Sequence, residues 1–321
     1  MLGRVPPRPH ARRLPSRLAL WYCAALALVW ALSDWVGERT LPTLLLAYAP
    51  AALWLLPLPL VWGWVLWQRR RVGWALLGTL LALWSTGLLH WRLASSGDLR
   101  VLTYNVQGGQ NTSPTNLAAL LRGADPDIIL LQETRYADPA FGPALEAALP
   151  GYAVAHAAEV TTLTRLGLGA ATRVPLPQNS REVLLTPLSW EGQTLNVVNA
   201  HLGTVMLSPV LRGDLTQARR TRNARSAQVD VLRQLALQTD GLLLLGGDLN
   251  TPPRGIIYRR LRNLFGPDAF DSAGRGPGWT FPSLKLRIDH QMTRDLKIMN
   301  ATVLPGGGSD HQPLLVEYSL R

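Results

Sequence analysis

The chain reads as an α/β fold preceded by an all-α apolar segment, and three observations carry that reading. Short apolar runs of strand length recur from Leu99 to the C-terminus, with helical patterns between them. Four of these runs end on polar residues: Asn105, Glu133, His201, and Asp248 with Asn250. Strand ends that converge on one rim are where a sheet-based fold holds its chemistry rigidly. The first 93 residues are instead dominated by three long stretches with almost no charge.

Of those stretches, Leu18 to Ser33 is apolar apart from its last residue. Leu41 to Trp67 is 27 residues without a charge, and Val72 to Trp91 is 20 residues in which only His90 is ionisable. A bilayer core needs about 20 apolar residues per helix. The sequence therefore predicts three transmembrane helices, at about 18–36, 41–67 and 72–91, within an 18–93 membrane segment. Tryptophans at 21, 30, 35, 62, 64, 67 and 91 fall mostly near the span ends, as interfacial anchors do, and Pro50, Pro57 and Pro59 predict a kink in the second span.

Arginine placement gives an orientation. Arg4, Arg8, Arg12, Arg13 and Arg17 precede the first span and Arg69 to Arg71 follow the second, whereas the intervening loop carries Asp34, Glu38 and Arg39. The positive-inside rule puts residues 1–17 and the Arg69 loop in the cytoplasm, and three crossings leave the rest outside. The expectation is a multi-pass protein of the cell membrane with an extracytoplasmic C-terminal domain. A signal peptide cleaved near Ala31-Leu32-Ser33 is the alternative for the first span and leaves that domain outside as well.

The net charge of +11 invites a nucleic-acid reading, but residues 1–96 hold ten arginines against Asp34 and Glu38, and the remaining 225 residues hold 22 basic and 19 acidic side chains. Most of the excess belongs to the front segment, so the basic balance says little about a polyanionic partner. The single cysteine, Cys23, excludes an intrachain disulfide or a cysteine-metal site.

Ala94 to Asp98 is a short polar linker, and 99–321 reads as one domain. Its strand-like runs are Val101 to Asn105, Asp127 to Leu131, Leu195 to Ala200, Leu242 to Leu245, Leu286 to Met292 and Pro313 to Tyr318. Pro114 to Arg122 reads as a helix with Pro in its first turn and Gly123 closing it, and Gln217 to Gln238 as a longer helix with Val229, Leu232, Leu235 and Ala236 on its apolar side.

The chemistry sits at the strand ends. A carboxylate at Glu133, costly inside a core, can hold a hard cation at a rim through oxygen. Asn105 is placed to contact the same metal or a phosphate. In the string GGDLN, Gly246 and Gly247 permit close backbone approach, and Asp248 and Asn250 share one face of an extended segment. There a carboxylate orients water while an amide donates to a phosphate oxygen. His201 is a donor to phosphate or to a leaving group. Asp289 shares a strand face with Arg287 and Gln291, and His311 follows a glycine-rich turn and Asp310. An Asp partnering a His fixes its tautomer and raises its basicity. His290 is expected to face the core with Ile288.

Taken together, the strings TYNVQGG, DIILLQET, NVVNAHL, LLLLGGDLN, RIDH and SDH resemble those of the endonuclease/exonuclease/phosphatase superfamily with its deoxyribonuclease I-like fold, in family order over about residues 97–321. The resemblance implies a four-layer α/β sandwich, two packed mixed β-sheets flanked by helices. It implies Glu133 as principal Mg²⁺ ligand (Mn²⁺ or Ca²⁺ as substitutes), with Asn105 on metal or phosphate and Asp310 on the metal side. It further implies Asp248 and Asn250 as orienters of water and phosphate, His311 paired to Asp289 as base or transition-state stabiliser, and His201 as phosphate ligand or leaving-group acid. NAHL in place of a tyrosine disfavours the abasic-site endonuclease branch, and the inositol-phosphatase tryptophan and cysteine motifs are missing. One departure is noted: the acid backing the His201 counterpart in deoxyribonucleases has no clear match between Gly151 and Arg173, which argues against efficient nuclease activity.

The reading is a membrane-anchored, Mg²⁺-dependent phosphodiesterase acting on extracellular nucleic acid or on phospholipid head groups, with the lipid bilayer and the phosphodiester as partners and no obligate protein partner. Tethering favours lipid, and the arginines of 212–225 and 254–262 suit either polyanion. A catalytically silent scaffold of the same fold and a cytoplasmic DNA-repair-type nuclease are the alternatives.

Overall fold

The computed structural model describes residues 15–205 and 214–321. Arg4, Arg8, Arg12 and Arg13 of the basic N-terminus, and Arg212, lie outside the described residues.

Strand parity organises the C-terminal part. In β1 (Leu99–Asn105), Leu99 and Val101 face one side while Leu102 and Tyr104 face the other. The same alternation runs through β2 (Ile128–Gln132), where Ile128 and Leu130 oppose Ile129 and Leu131. Each strand thus has two buried faces, and both must be covered. The first sheet has the order β11-β12-β1-β2-β4-β3, with β3 (Ala153–His156), β4 (Val160–Thr164), β11 (Lys297–Val303) and β12 (Leu314–Ser319). The second has the order β10-β9-β8-β7-β5, with β6 paired to β7. Its strands are β5 (Gly167–Leu168), β6 (Thr172–Pro175), β7 (Glu182–Trp190), β8 (Gln193–Asn199), β9 (Leu242–Asp248) and β10 (Asp289–Thr293). Both sheets are mixed, because β1–β2 and β8–β9 are parallel while the other pairs run antiparallel.

Val101, Leu130 and Val316 of the first sheet meet Leu188, Val197 and Leu244 of the second in the central core. The outer face of the first sheet is covered by α5 (Pro114–Ala124) and α6 (Phe141–Ala147), and that of the second by α7 (Leu215–Gln238) and α8 (Gly255–Phe265). The result is the expected four layers, with a short α9 (Ala269–Ala273) at the edge. Gly123 does not close α5: the helix continues to Ala124, and Asp125 takes the left-handed cap at φ 46°.

Buried amides sew the sheets together. Gln132 Nε2 donates to Asn199 Oδ1 at 2.8 Å, Asn199 Nδ2 donates to the carbonyls of Leu131 and Thr161, and Gln291 Nε2 donates to those of Val101 and Leu314. Satisfied networks of this kind admit few alternative registers. They lie on the inner faces, directly beneath the strand ends that carry the site.

The front segment differs from expectation. Its helices are α1 (Arg17–Ala31), α2 (Leu41–Tyr48), α3 (Leu58–Trp67) and α4 (Gly73–Ser85). Among the described residues one helix is long and apolar enough to cross a membrane, Arg17–Arg39, 23 residues with mean hydropathy 1.5, in which α1 runs on through a π turn and a 3-10 turn. The second predicted span breaks into Leu41–Tyr48 and Ala51–Trp67, set at 83° to each other. Pro50 is the cause: it lacks an N–H and forces Ala49 out of the helical region, to ψ 129°. The third shrinks to the 13 residues of α4. The three predicted transmembrane helices are thus corrected to one, or to two if the bent pair counts as one span, and the multi-pass topology and extracytoplasmic placement counted from three crossings do not follow from this arrangement.

This segment packs on the α/β part. Glu38 Oε2 accepts from Ile256 N at 2.8 Å, serving the otherwise orphaned first turn of α8, and Arg222 donates to the Arg39 carbonyl. The Ala94 to Asp98 stretch is tied down as well, by Asp98 N to Tyr318 O and Gly97 N to Glu317 Oε2.

Candidate active site

The inner-face parity that places Val101 and Leu244 in the core carries on to Asn105 and Asp248 at the strand ends, where the core gives way to a cleft of about 320 Å³. Asp289 stands opposite Asp248 in the β9–β10 register. His201, two residues past β8, keeps the parity of Val197 and Asn199. Gly247 lets β8 come this close: at φ 141°, a Cβ there would lie 2.0 Å from the Ala200 carbonyl oxygen.

Asp248 is the hub. Its Oδ2 accepts from Asn105 Nδ2 at 3.0 Å and stands 3.5 Å from His201 Nε2 and 3.8 Å from His311 Nε2, while its Oδ1 accepts from Asn250 N at 2.9 Å. Asn105 Nδ2 also donates to Glu133 Oε1 at 3.0 Å, so one amide bridges two carboxylates. Hydrogen bonds to charged groups are worth about 1.5–3 kcal/mol each. Glu133 takes a left-handed backbone at φ 56°, which turns its carboxylate from the strand end into the cleft. Asn250, likewise left-handed at φ 47°, donates from Nδ2 to the Leu202 carbonyl and lines the cleft.

Each imidazole has its own acid. His311 Nδ1 lies 2.9 Å from Asp289 Oδ2, with the Phe281 ring tilted alongside. His201 Nδ1 lies 3.0 Å from Glu159 Oε1, within ion-pair distance but off the line of a good hydrogen bond. Glu159 sits in the turn between β3 and β4 and is held in turn by Arg181 Nε at 3.0 Å. It supplies the acid for which no clear match was expected between Gly151 and Arg173, and it is the one acid in that interval. The objection to nuclease-type chemistry on that ground is removed.

Asp310 is exposed at the cleft rim and is not one of the closely packed donors. His290 is fully buried, set by Asp268 at 2.5 Å and the Thr251 carbonyl at 2.7 Å, and so takes no part in the cleft. Its expected companion Ile288 lines the cleft instead, because β10 begins only at Asp289. Arg287 therefore leaves the strand face assigned to it and pairs with Asp268 and Asp271. Arg225, counted among possible polyanion ligands, is fully buried and donates to Thr251 Oγ1 and the Gly203 carbonyl, bracing the loops that follow His201 and Asp248.

The charges are coupled. Burial acts to raise the Asp248 carboxyl, but His311, His201 and the Asn105 and Asn250 donors together hold it below its ordinary value. Asp289 is pushed up, by burial first and by the Asp248 charge. Burial opposes protonation of His311, yet the carboxylates of Asp289, Asp248 and Asp310 outweigh it and push the imidazole up to about 10. Glu159, although burial alone would raise it, lies below the usual range through His201, Arg181 and Arg135.

A folded pKa above the unfolded one means that the His311 contribution to stability is complete below about 6.5 and lost as pH rises through the folded value. In the metal-free protein, the His311 ring signals in an NMR titration are expected to stay those of imidazolium through neutral pH. Asp289→Asn should bring the titration down by at least a unit. A midpoint near neutrality in the wild type would contradict the geometry.

The donor set fits a hard divalent cation. Glu133, Asp248 and Asp289 converge with the Asn105 amide, Asp289 Oδ1 is buried without a partner, and among the described residues neither Lys nor Arg lines the cleft. Asp248, Asp289 and His311 bring ligand atoms within 4.8 Å of one another. His311 holds only Asp289 Oδ2, so the unpartnered Asp289 Oδ1 and the Glu133 carboxylate are the freer oxygens beside Asp248.

No curated protein matches the chain by sequence. Solved structures of similar fold include an endonuclease/exonuclease/phosphatase from Beutenbergia cavernae (19% identity, covering 70% of this chain and 72% of that one, TM-score 0.54). The human Nocturnin catalytic domain with bound sulfate is similar at 17% identity, covering 71% and 97%, with TM-score 0.54. D. rerio TDP2 complexed with single strand DNA product is similar at 16% identity, covering 68% and 97%, with TM-score 0.53. The sequence pattern of the Endonuclease/Exonuclease/phosphatase family matches residues 102–311, which contain every strand end just described. With that match over most of its length and a phosphoester-hydrolase fold beneath the cleft, the chain belongs to the endonuclease/exonuclease/phosphatase family.

Proposed function

We propose that the chain is a divalent-metal-dependent phosphodiesterase attached to a membrane through its N-terminal apolar helix. The observation that carries this reading is the Asp248 carboxylate between two imidazoles, each backed by its own acid, and bridged by Asn105 to Glu133. Glu133 and Asp248, with Asn105 beside them and Asp310 at the rim, would hold Mg²⁺ or a similar ion. When bound, the ion supplies charge stabilisation to the phosphoryl oxygens.

The residues then divide the work. Asp248 orients water and takes its proton as the new P–O bond forms in line with the ester bond that breaks. The amide of Asn250 positions the phosphoryl group. His311, held as imidazolium by Asp289, donates from Nε2 to the charge developing on a phosphoryl oxygen, so the raised affinity for its proton favours the stabiliser role over the base role. His201 Nε2 gives a proton to the leaving oxygen, with Glu159 as its positioning residue.

For the substrate, the cleft walls favour a phospholipid head group. Val205, Phe281, Leu284, Leu286 and Ile288 line it, and Tyr48 reaches in from the apolar front segment, donating from its hydroxyl to the Asn250 carbonyl at 2.8 Å. Nucleic acid is the second reading, supported by the DNA product bound to a protein of the same fold. The test is hydrolysis by the full chain in neutral detergent with Mg²⁺, on sphingomyelin and phosphatidylcholine beside plasmid DNA. Release of phosphorylated head groups without nicking supports the lipid reading, and nicking without head-group release replaces it with nuclease. Cleavage of neither by folded protein would favour a silent scaffold of this fold.

A further inference from the structure

A second cavity, of about 570 Å³, opens where the front segment meets the α/β part. Among the described residues it shares only Leu286 with the walls of the catalytic cleft. Among the described residues, five cationic side chains line it, Arg92, Arg254, Arg262, Lys285 and Arg287, against one carboxylate, Asp271. Asp271 is already engaged, by Arg287 and by the Tyr258 hydroxyl at 2.6 Å. Arg262 stands 3.9 Å from it, and Lys285 lies over the Trp279 ring.

Arg254 is the telling member. It is half-buried in this wall, yet its guanidinium makes no hydrogen bond or ion pair to the described residues. His90 Nε2, in the same wall, is buried and also without a partner. Polar groups drawn largely out of solvent are rarely left unpaired in folded proteins. Cations that outnumber the carboxylate in this wall, one of them without a partner among the described residues, point to an anion that completes the site.

We propose that this cavity binds the phosphate of an anionic phospholipid. Guanidinium groups suit phosphate oxygens, which they grip through paired, charge-assisted hydrogen bonds. The surroundings decide for lipid over free phosphate. A smaller cavity of about 200 Å³ continues past Trp84 and Arg254 to Trp30 of α1. The adjoining chain exposes Trp84, Leu88, Leu89, Trp91 and Leu93, a band on which acyl chains can lie with tryptophan at head-group level. A lipid seated there sets the catalytic cleft, across the Leu284–Leu286 segment, beside the bilayer surface. The site stands whichever phosphoester the cleft hydrolyses.

Native mass spectrometry of the full chain, released from neutral detergent with equal phosphatidylglycerol and phosphatidylcholine, reads the binding without reading hydrolysis. The expected result is about tenfold preferential retention of phosphatidylglycerol, the size of effect one charge-assisted hydrogen bond carries. Arg254→Gln and Lys285→Gln should each remove most of that preference. His311→Ala in the catalytic cleft, and Arg294→Gln at an exposed site paired with Asp295, should keep it. Inorganic phosphate in place of lipid separates the sources. Weak displacement by millimolar phosphate supports a head-group site, and tight phosphate binding without lipid preference overturns it. Equal retention of both lipids by the wild type, or an undiminished preference in both Arg254→Gln and Lys285→Gln, would also overturn it.

Discussion

Asp248→Asn is expected to lower kcat/KM for phosphodiester hydrolysis by about a thousandfold or more, the scale seen when a positioned base or a preorganised electrostatic group is lost. The substitution preserves shape. Asn105, Asn250 N and both imidazoles keep a neighbour of the same size, so the fold should survive and a melting curve should move little beside the activity. The charge is what disappears. His311 then faces Asp289 without the second buried carboxylate, and its NMR titration should fall from the wild-type value. A variant that loses less than tenfold in rate while His311 keeps its titration would show that Asp248 does not organise the site.

Glu159→Gln is expected to lower kcat by about a hundredfold with KM within a factor of a few, the size of a general acid–base contribution. Glu159 touches no substrate position: it sits behind His201, on the Nδ1 side, with Arg181 behind it in turn. A merely structural role would lower the amount of folded enzyme and leave the rate per folded molecule unchanged. A positioning role changes kcat in protein of unaltered melting temperature, and Glu159→Asp should recover part of it, since a carboxylate is restored at shorter reach. Equal kcat in wild type and Glu159→Gln would show that the His201 ring is set by other contacts.

Most of the site was legible because polar residues ended apolar runs. The parity of β1, β9 and β10 places Asn105, Asp248 and Asp289 on the inner face, and a period of two is readable without coordinates. Glu159 escaped for the opposite reason. Its neighbour β4, VTTLT, mixes Thr with apolar residues although every position is buried, so no alternation marks the strand that delivers the acid. β7 was hidden by Pro187, a residue that argues against a strand, which the sheet accommodates by passing its carbonyl to Gly169 N. Ile288 left the core face that His290 keeps because the strand starts at Asp289 and not at Leu286.

The front segment shows the limit of composition. Hydropathy counts apolar residues but does not register where Pro50 turns the chain by 83°. Nor does it register that Glu38 and Tyr48, read as loop and span, meet the α/β part at Ile256 and Asn250. Those contacts put an apolar helix against the Asn250 loop, which the order of motifs along the chain does not convey.

Hydrolysis of bis(p-nitrophenyl) phosphate by the full chain in neutral detergent, with Mg²⁺ or with EDTA, tests most directly whether the cleft is a metal-dependent phosphodiesterase site, because this diester carries neither a lipid nor a base to be recognised. Turnover with Mg²⁺ that EDTA abolishes is expected, reduced at least a hundredfold in His311→Ala and in Glu133→Ala, with Mg²⁺ binding by calorimetry lost only in Glu133→Ala. Turnover that persists in EDTA, or that both substitutions leave intact, would contradict that assignment of the cleft.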